Sequence, residues 1–303
     1  MKHLYFRNMK LEDYDLIYSF TSKYGEGSCQ HSFVSMYSMY EKYSDVICVE
    51  DETLYILRSN LCDRTHRVFL SPMGGKDREK AFTRILDDTA GFGKKVKFIT
   101  LTEDTALFLE ETFPGRFLIK EAPDLFEYIY RTDRMSTFSG RKLKKRRSEV
   151  NHFHTIYGVR ASVDRITPAD FPEIMEFESW WLRENQEDHD RLSLRREQRM
   201  IDFQLKYFDR LHLSGILVRI DGEVKGFGYG TKLSDSYYDA IIEKGDRKIP
   251  HIYKVLRSES VRQCAMDCTY VNMEEDLGIP GLRAVKMMYK PDFLIRKYIA
   301  VES

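Results

Sequence analysis

Residues 9–20, MKLEDYDLIYSF, return in altered form at 166–177 as ITPADFPEIMEF. Asp13, Tyr14, Ile17 and Phe20 fall on Asp170, Phe171, Ile174 and Phe177, an offset of 170 − 13 = 157. Both segments have amphipathic helical spacing, and Thr167 with Pro168 supplies an N-cap and first-turn proline to the second. Next, VICVEDETLYILRS (46–59) pairs with GILVRIDGEVKGFGYGTKL (215–233). Each is a β-hairpin pattern, turning at Glu50-Asp51-Glu52 and Asp221-Gly222-Glu223, and the offset is now 223 − 52 = 171. RVFLSPMGG and YYDAIIEKG both run a strand into a glycine turn. FITLTED (98–104) then matches YVNMEED (270–276) at 270 − 98 = 172. Any single match is weak, but the same order at nearly constant spacing points to a tandem duplication. Each half reads helix, hairpin, strand, glycine turn, helix, strand, helix, closing strand. This predicts an α/β chain (α+β, mixed sheet) of two like domains, residues 1–133 and 134–303.

A chain of 303 residues accommodates two such cores. Lys+Arg and Asp+Glu number 48 each, so a polyanionic partner has to be argued from a local patch and not from total charge. No apolar run reaches the length of a membrane helix, and the first thirty residues lack a signal-peptide core. Five scattered cysteines, an odd number without metal-ligand spacing, read as reduced thiols and predict a cytoplasmic location.

The order of elements resembles the GNAT acyltransferase fold, in which the donor sits where two central parallel strands splay. Two motifs narrow the resemblance. GRKLKKRRSEVNHF (140–153) and VNMEEDLGIPGLRAVKMMYKP (271–291) are similar to those of the phosphatidylglycerol lysyltransferase C-terminal domain family. Gly140, Lys142, Lys145, Arg147, Asn151, Asn272, Glu274, Asp276, Gly278, Leu282, Arg283, Lys286, Tyr289 and Pro291 occupy matching places. Ser148 stands where the family commonly has Asn, and the flippase domain of true lipid lysyltransferases is missing from this sequence. The resemblance implies an aminoacyl-tRNA donor, a lipid or small-molecule acceptor with an amine or hydroxyl, and substrate-binding roles for Arg147, Asn151 and Tyr289.

The residues themselves add detail. RKLKKRR (141–147) holds six basic residues in seven, and Arg141, Lys142, Lys144, Lys145 and Arg146 form a candidate phosphate-binding ridge for tRNA, against the plain alternative of a solvated helix. Asn272 and Glu274, two apart on a strand, are expected to share a face as an amide and a general base. Arg283 and Lys286 are candidates for charge against an oxyanion or phosphate. Glu243 ends a strand beside the expected cleft and could orient a nucleophile. IIEKGDRKIPHIY (241–253) and SPMGGKDREK (71–80) lie at the pyrophosphate-loop position but keep only part of its glycine pattern, Gly245 alone surviving in the former, which weakens the alternative of a CoA-dependent N-acyltransferase. A third reading is a non-catalytic binding protein on the same fold, as the first half is expected to be. No metal site is expected: His152-x-His154 has no companion ligands in the sequence, and the acids at 274–276 lack calcium-loop spacing. Glu275 and Asp276, like Glu103 and Asp104, are expected to meet a helix dipole. SWWLRENQEDHDRLSLRREQRM (179–200) coincides with the extra length of the second half. It is read as a helical insertion over the cleft, with Trp180 and Trp181 either touching substrate or packing in the core.

Overall fold

The computed structural model describes residues 3–185 and 191–303, with the side chains of 191–193 left aside. The chain forms two compact units, Met1–Tyr128 with Glu275–Ala284 and Leu294–Ser303, and Ile129–Glu274 with Val285–Phe293. The repeat divides the sequence at 133/134, whereas the compact units draw their segments from both halves. The cause is an exchange of closing strands. The last strand of the chain pairs in the first sheet, and the last strand of the first half pairs in the second.

In the first unit the strands are β1 (Arg7–Asn8), β2 (Asp45–Glu50), β3 (Thr53–Arg58), β4 (His66–Phe69), β5 (Met73–Gly74), β6 (Lys95–Leu101), β7 (Phe117–Glu121) and β15 (Tyr298–Glu302). Their order is β1-β2-β3-β4-β6-β15-β7, with β5 on β3. The helices are α1 (Tyr14–Tyr24), α2 (Phe33–Ser38), α3 (Tyr40–Tyr43), α4 (Arg78–Ala90) and α5 (Glu103–Thr112). The β2–β3 hairpin turns through Asp51 and Glu52, both at positive φ. The β4 and β6 strands are parallel from His66↔Lys95 to Phe69↔Phe98. α4 lays Phe82, Ile85, Leu86 and Thr89 on this sheet at helical spacing. The Phe82 and Phe98 rings meet edge to face, centroids 5.1 Å apart. Lys297, fully buried ahead of β15, bonds Glu127 at 2.8 Å and Ser28 at 2.6 Å and so locks the exchanged strand.

The second unit holds α6 (Thr132–Met135), α7 (Lys144–Tyr157), α8 (Phe171–Glu184), α9 (Arg191–Lys206), α10 (Ile252–Cys264) and the end of α11 (Pro280–Met288). Its sheet runs β14-β8-β13-β12-β11-β10-β9. The members are β8 (Glu127–Arg131), β9 (Ala161–Arg165), β10 (Ser214–Ile220), β11 (Glu223–Lys232), β12 (Tyr237–Gly245), β13 (Tyr270–Glu275) and β14 (Phe293–Ile295). As expected, the β10–β11 hairpin turns at Asp221-Gly222, both at positive φ. Between β11 and β12 the pairing passes from Tyr229↔Ile242 to Thr231↔Asp239, three residues against two. This bulge needs glycine opposite it, because a Cβ on Gly230 would lie 1.8 Å from the Asp239 carbonyl oxygen. Part of the 179–200 insertion, residues 186–190, lies outside the described residues. The described remainder is helical, as expected. Trp181 is buried and donates from Nε1 to the Gly245 carbonyl at 3.2 Å, and Trp180 lines a cavity of about 500 Å³ with Phe177, Lys225 and Asp246.

Candidate functional site

The parallel pair β12/β13 starts at Tyr237↔Tyr270 and ends at Asp239↔Asn272. Beyond that level β12 continues with β11 to Gly245, while β13 runs on to Glu275, so the two strands separate. The last shared level is polar: Asp239 and Asn272 are both fully buried. Two wholly buried polar side chains are costly to desolvate, so their presence at a strand divergence makes this level a candidate site.

Asn272 turns its side-chain oxygen onto the backbone N–H of Glu274 at 2.7 Å. Glu274 itself has φ +56°. Its carboxylate nevertheless comes within 4.8 Å of that of Asp239, which pairs with Asn272 across the ladder, so Glu274 reaches the same polar level as Asn272. Lys286, mostly buried on α11, donates to the Met273 carbonyl and reaches the Glu274 carbonyl at 3.4 Å. Tyr130 fixes this turn of α11 by donating its hydroxyl to the Lys286 carbonyl at 2.8 Å. The end of β13 thus carries a carboxylate across the ladder, an amide within it and an ammonium against its carbonyls. Such a group can hold a carbonyl substrate and stabilise charge developing on its oxygen.

Glu243 is not part of that cluster. It lies four residues, about 13 Å, further along β12, and the intervening bulge turns it to the opposite face from Asp239. There it holds Arg257 at 2.6 and 3.1 Å. Burial opposes the Arg257 charge, but Glu243 outweighs it and the guanidinium is held more basic than usual. Arg257 sits 4.3 Å over the ring of Tyr289, and Tyr289 packs on Phe138 with centroids 5.6 Å apart. Arg147 donates to the Phe138 carbonyl at 2.7 Å. Tyr289 and Arg147 therefore both converge on Phe138. Asn151 is exposed on α7, and its carbonyl accepts from Thr155.

Arg283 belongs to the first unit, where it holds Asp276 at 2.7 and 3.0 Å and Asp124 at 3.0 Å. Burial would raise the Asp276 carboxyl, but Arg283, the Tyr128 hydroxyl and the Gly278 N–H together bring it to about 2. The helix-dipole role expected of Glu275 and Asp276 does not apply, because α11 starts only at Pro280. In the first half Glu103 and Asp104 do occupy the first turn of α5.

The basic segment opens with Gly140 at φ +86° and a short turn over 141–143 before α7. Arg141, Lys142, Lys144, Lys145 and Arg147 are exposed, and Arg146 pairs with Glu149 at 2.7 Å. Four cations occupy the first turn of α7, with no acid there and no side-chain cap. Positive charge at the positive end of a helix is unfavourable by about 0.3–1 kcal/mol each. An approaching polyanion would relieve this.

Neither pyrophosphate-loop position offers an open cradle. Asp77 caps α4 by accepting from Lys80 N–H at 2.9 Å. At α10 the Ile252 N–H bonds the Ile249 carbonyl, and the Lys254 and Val255 N–H groups bond the His251 carbonyl. Sequence reasoning missed Asp239. The available signal was an acid inside the apolar run YYDAII at the level of Asn272 in the neighbouring strand.

No helix among the described residues is long and apolar enough to cross a membrane. Comparison with known proteins gives a consistent answer. An uncharacterized protein of Mycoplasmoides gallisepticum is 24% identical over 177 residues, 57% of this chain, and the match spans 54% of that protein's length. The crystal structure of a conserved protein from Bacteroides thetaiotaomicron superposes with TM-score 0.92 at 26% identity, covering 99% of this chain and 100% of that one. The C-terminal domain of a putative lysylphosphatidylglycerol synthetase from Agrobacterium fabrum shares the fold, with TM-score 0.65 at 12% identity over 96% and 92% of the two chains. The family described as "Phosphatidylglycerol lysyltransferase, C-terminal" matches residues 21–301. Two GNAT-like sheets, a splay lined by Asp239 and Asn272, and this match over nearly the whole chain have one meaning: the protein belongs to the phosphatidylglycerol lysyltransferase C-terminal family, whose fold is that of acyltransferases.

Proposed function

We propose that the second unit transfers an aminoacyl group from aminoacyl-tRNA to an amine or hydroxyl acceptor, lipid or small molecule, in the cytoplasm. The observation that carries this reading is the polar splay of β12/β13, with Lys286 against the carbonyls that follow Asn272. An aminoacyl ester is already activated, so the protein has to position it, accept a proton from the attacking group and stabilise the oxyanion. In this reading Lys286 and Asn272 orient the donor carbonyl and stabilise its oxygen. Asp239 or Glu274 takes the proton from the incoming nucleophile. Arg141, Lys142, Lys144 and Lys145 meet the tRNA backbone, whose charge offsets the cations crowded at the start of α7. Glu243, Arg257, Tyr289 and Arg147 brace the wall of the site and do no chemistry. The occupied N–H groups of α10 disfavour acyl-CoA as donor.

The test is transfer from tRNA charged with labelled amino acid to a panel of amines and lipids, together with tRNA binding at physiological salt. Label appearing on an acceptor, lost in Lys286→Met, supports the proposal. Stabilisation by acyl-CoA with no binding of charged tRNA would replace it with the CoA-dependent reading.

A further inference from the structure

His152 has a companion ninety-nine residues away. It projects from α7, while His251 occupies the position just before α10, in the left-handed region at φ +67°. Histidine is among the few non-glycine residues that adopt this conformation with any frequency. The loop that delivers it is braced by Asp246, which accepts from the Lys248 N–H at 2.8 Å through its side chain and from the Ile249 N–H at 3.0 Å through its carbonyl. The helix that delivers His152 is anchored by fully buried Phe153. Both imidazoles thus project from fixed backbone. Nδ1 of His152 and Nε2 of His251 lie 3.2 Å apart at the solvent-facing edge, with ring centroids 5.2 Å apart and planes inclined at 45°.

We infer that these two imidazoles chelate a first-row divalent metal ion of the zinc class, which staples the basic helix α7 to the loop ahead of α10. Two nitrogens bound to one zinc at about 2.0–2.1 Å in tetrahedral geometry stand about 3.3 Å apart, and the rings already present that spacing. Imidazole nitrogens suit zinc, nickel and copper, and the exposed edge leaves the remaining coordination positions to water. Neighbouring charge is nearly balanced: Arg146 and Glu149 pair on α7, and Lys254 on α10 is held less basic than usual, chiefly by burial. The consequence of metal binding is mechanical. The exposed cations that precede His152 on α7 become fixed relative to the end of β12.

The decisive experiment titrates Co²⁺, then Zn²⁺ in competition, into untagged full-length protein stripped with a chelator and kept reduced. One ion per chain is expected, with a spectrum lacking thiolate charge-transfer bands. His152→Ala and His251→Ala should each weaken binding by at least ~10-fold, equivalent to about 1.4 kcal/mol, with circular dichroism unchanged. His154→Ala, on the same helix, should bind as the wild type does. Zinc should raise the thermal midpoint of the wild type and not of the two variants. Three results would overturn the inference: wild-type binding in either variant, a cobalt–thiolate spectrum, or no binding by the wild type up to millimolar metal. In the last case the two rings serve only as a hydrogen-bonded pair.

Discussion

Phe69 and Asp239 hold the same place in the two copies, 239 − 69 = 170 residues apart. Each forms the last parallel pair of its sheet, Phe69 with Phe98 and Asp239 with Asn272. All four side chains are buried. The first copy closes its divergence with two aromatic rings, which Phe82 backs from α4. The second fills it with a carboxylate and an amide and brings Lys286 to the strand that follows. The helix starts differ in the same sense. Asp77 caps α4 with its own side chain, whereas α10 is preceded by a left-handed histidine and has no side-chain cap. Duplication kept the scaffold twice. Buried polar groups occur in both copies, but at this divergence only the second copy carries them.

The largest effects should come from making the second copy resemble the first. Asp239→Phe or Lys286→Met should leave a folded protein with transfer reduced by about 100–1000-fold, the usual cost of losing a group that stabilises transition-state charge. The reverse change, Phe69→Asp, should bury an unpaired charge and abolish folding without creating a site. Circular dichroism and single-turnover transfer separate the two results.

Next in size is the exchanged strand. Lys297→Met leaves Glu127 buried without its cation and should lower stability by about 3–5 kcal/mol in urea unfolding. The double variant with Glu127→Gln should recover much of this, since removing both charges is cheaper than removing one.

Smaller, and opposite in sign to ordinary acid denaturation, is the pH response of two buried carboxyls. In the second copy burial raises Glu178 from 4.5 to about 7, with Lys244 at 2.7 Å opposing it. In the first copy burial raises Asp45 from 3.8 to about 6, against Arg58. Each folded form holds its proton more tightly than the unfolded chain does. The contribution is therefore complete below the unfolded value and lost as pH rises through the folded one. Urea midpoints measured from pH 4 to 8 should show Glu178→Gln flattening the decline up to about 7, and Asp45→Asn the decline up to about 6.

The smallest effect concerns the basic helix, which the first copy lacks. Lys144→Glu with Lys145→Glu should weaken tRNA binding and reduce its logarithmic salt slope by about 0.7–0.9 for each phosphate left without its cation. Fluorescence polarisation across a salt series gives that slope.

The repeat, the hairpins and the position of the divergence were legible in the sequence because they depend on local patterns: alternation, turn residues and helical spacing. The exchange of β8 and β15 was not. A strand's partner is set by which sheet edge the chain reaches, and β15 has the same local pattern wherever it pairs. Lys297 illustrates this. In sequence it is a lysine beside an arginine near a terminus, and only the exchanged strand buries it. At the site, Asn272 and Lys286 were readable from the motif. Strict alternation puts Glu243 on the Asp239 side, and a one-residue bulge reverses it. The same bulge depends on Gly230, so GFGYG in β11 held the missing information in a form that only pairing reveals. His251 escaped for a related reason, since its partner is remote in sequence.

The central claim is that chemistry resides at the polar level of β12/β13 and nowhere in the first copy. Single-turnover transfer from labelled aminoacyl-tRNA to an amine or lipid acceptor tests it directly, comparing wild type with Asn272→Ala and Lys286→Met at matched secondary structure. Transfer by the wild type and a loss of about 100-fold or more in each variant are the expected results. Wild-type rates in both variants would contradict the claim.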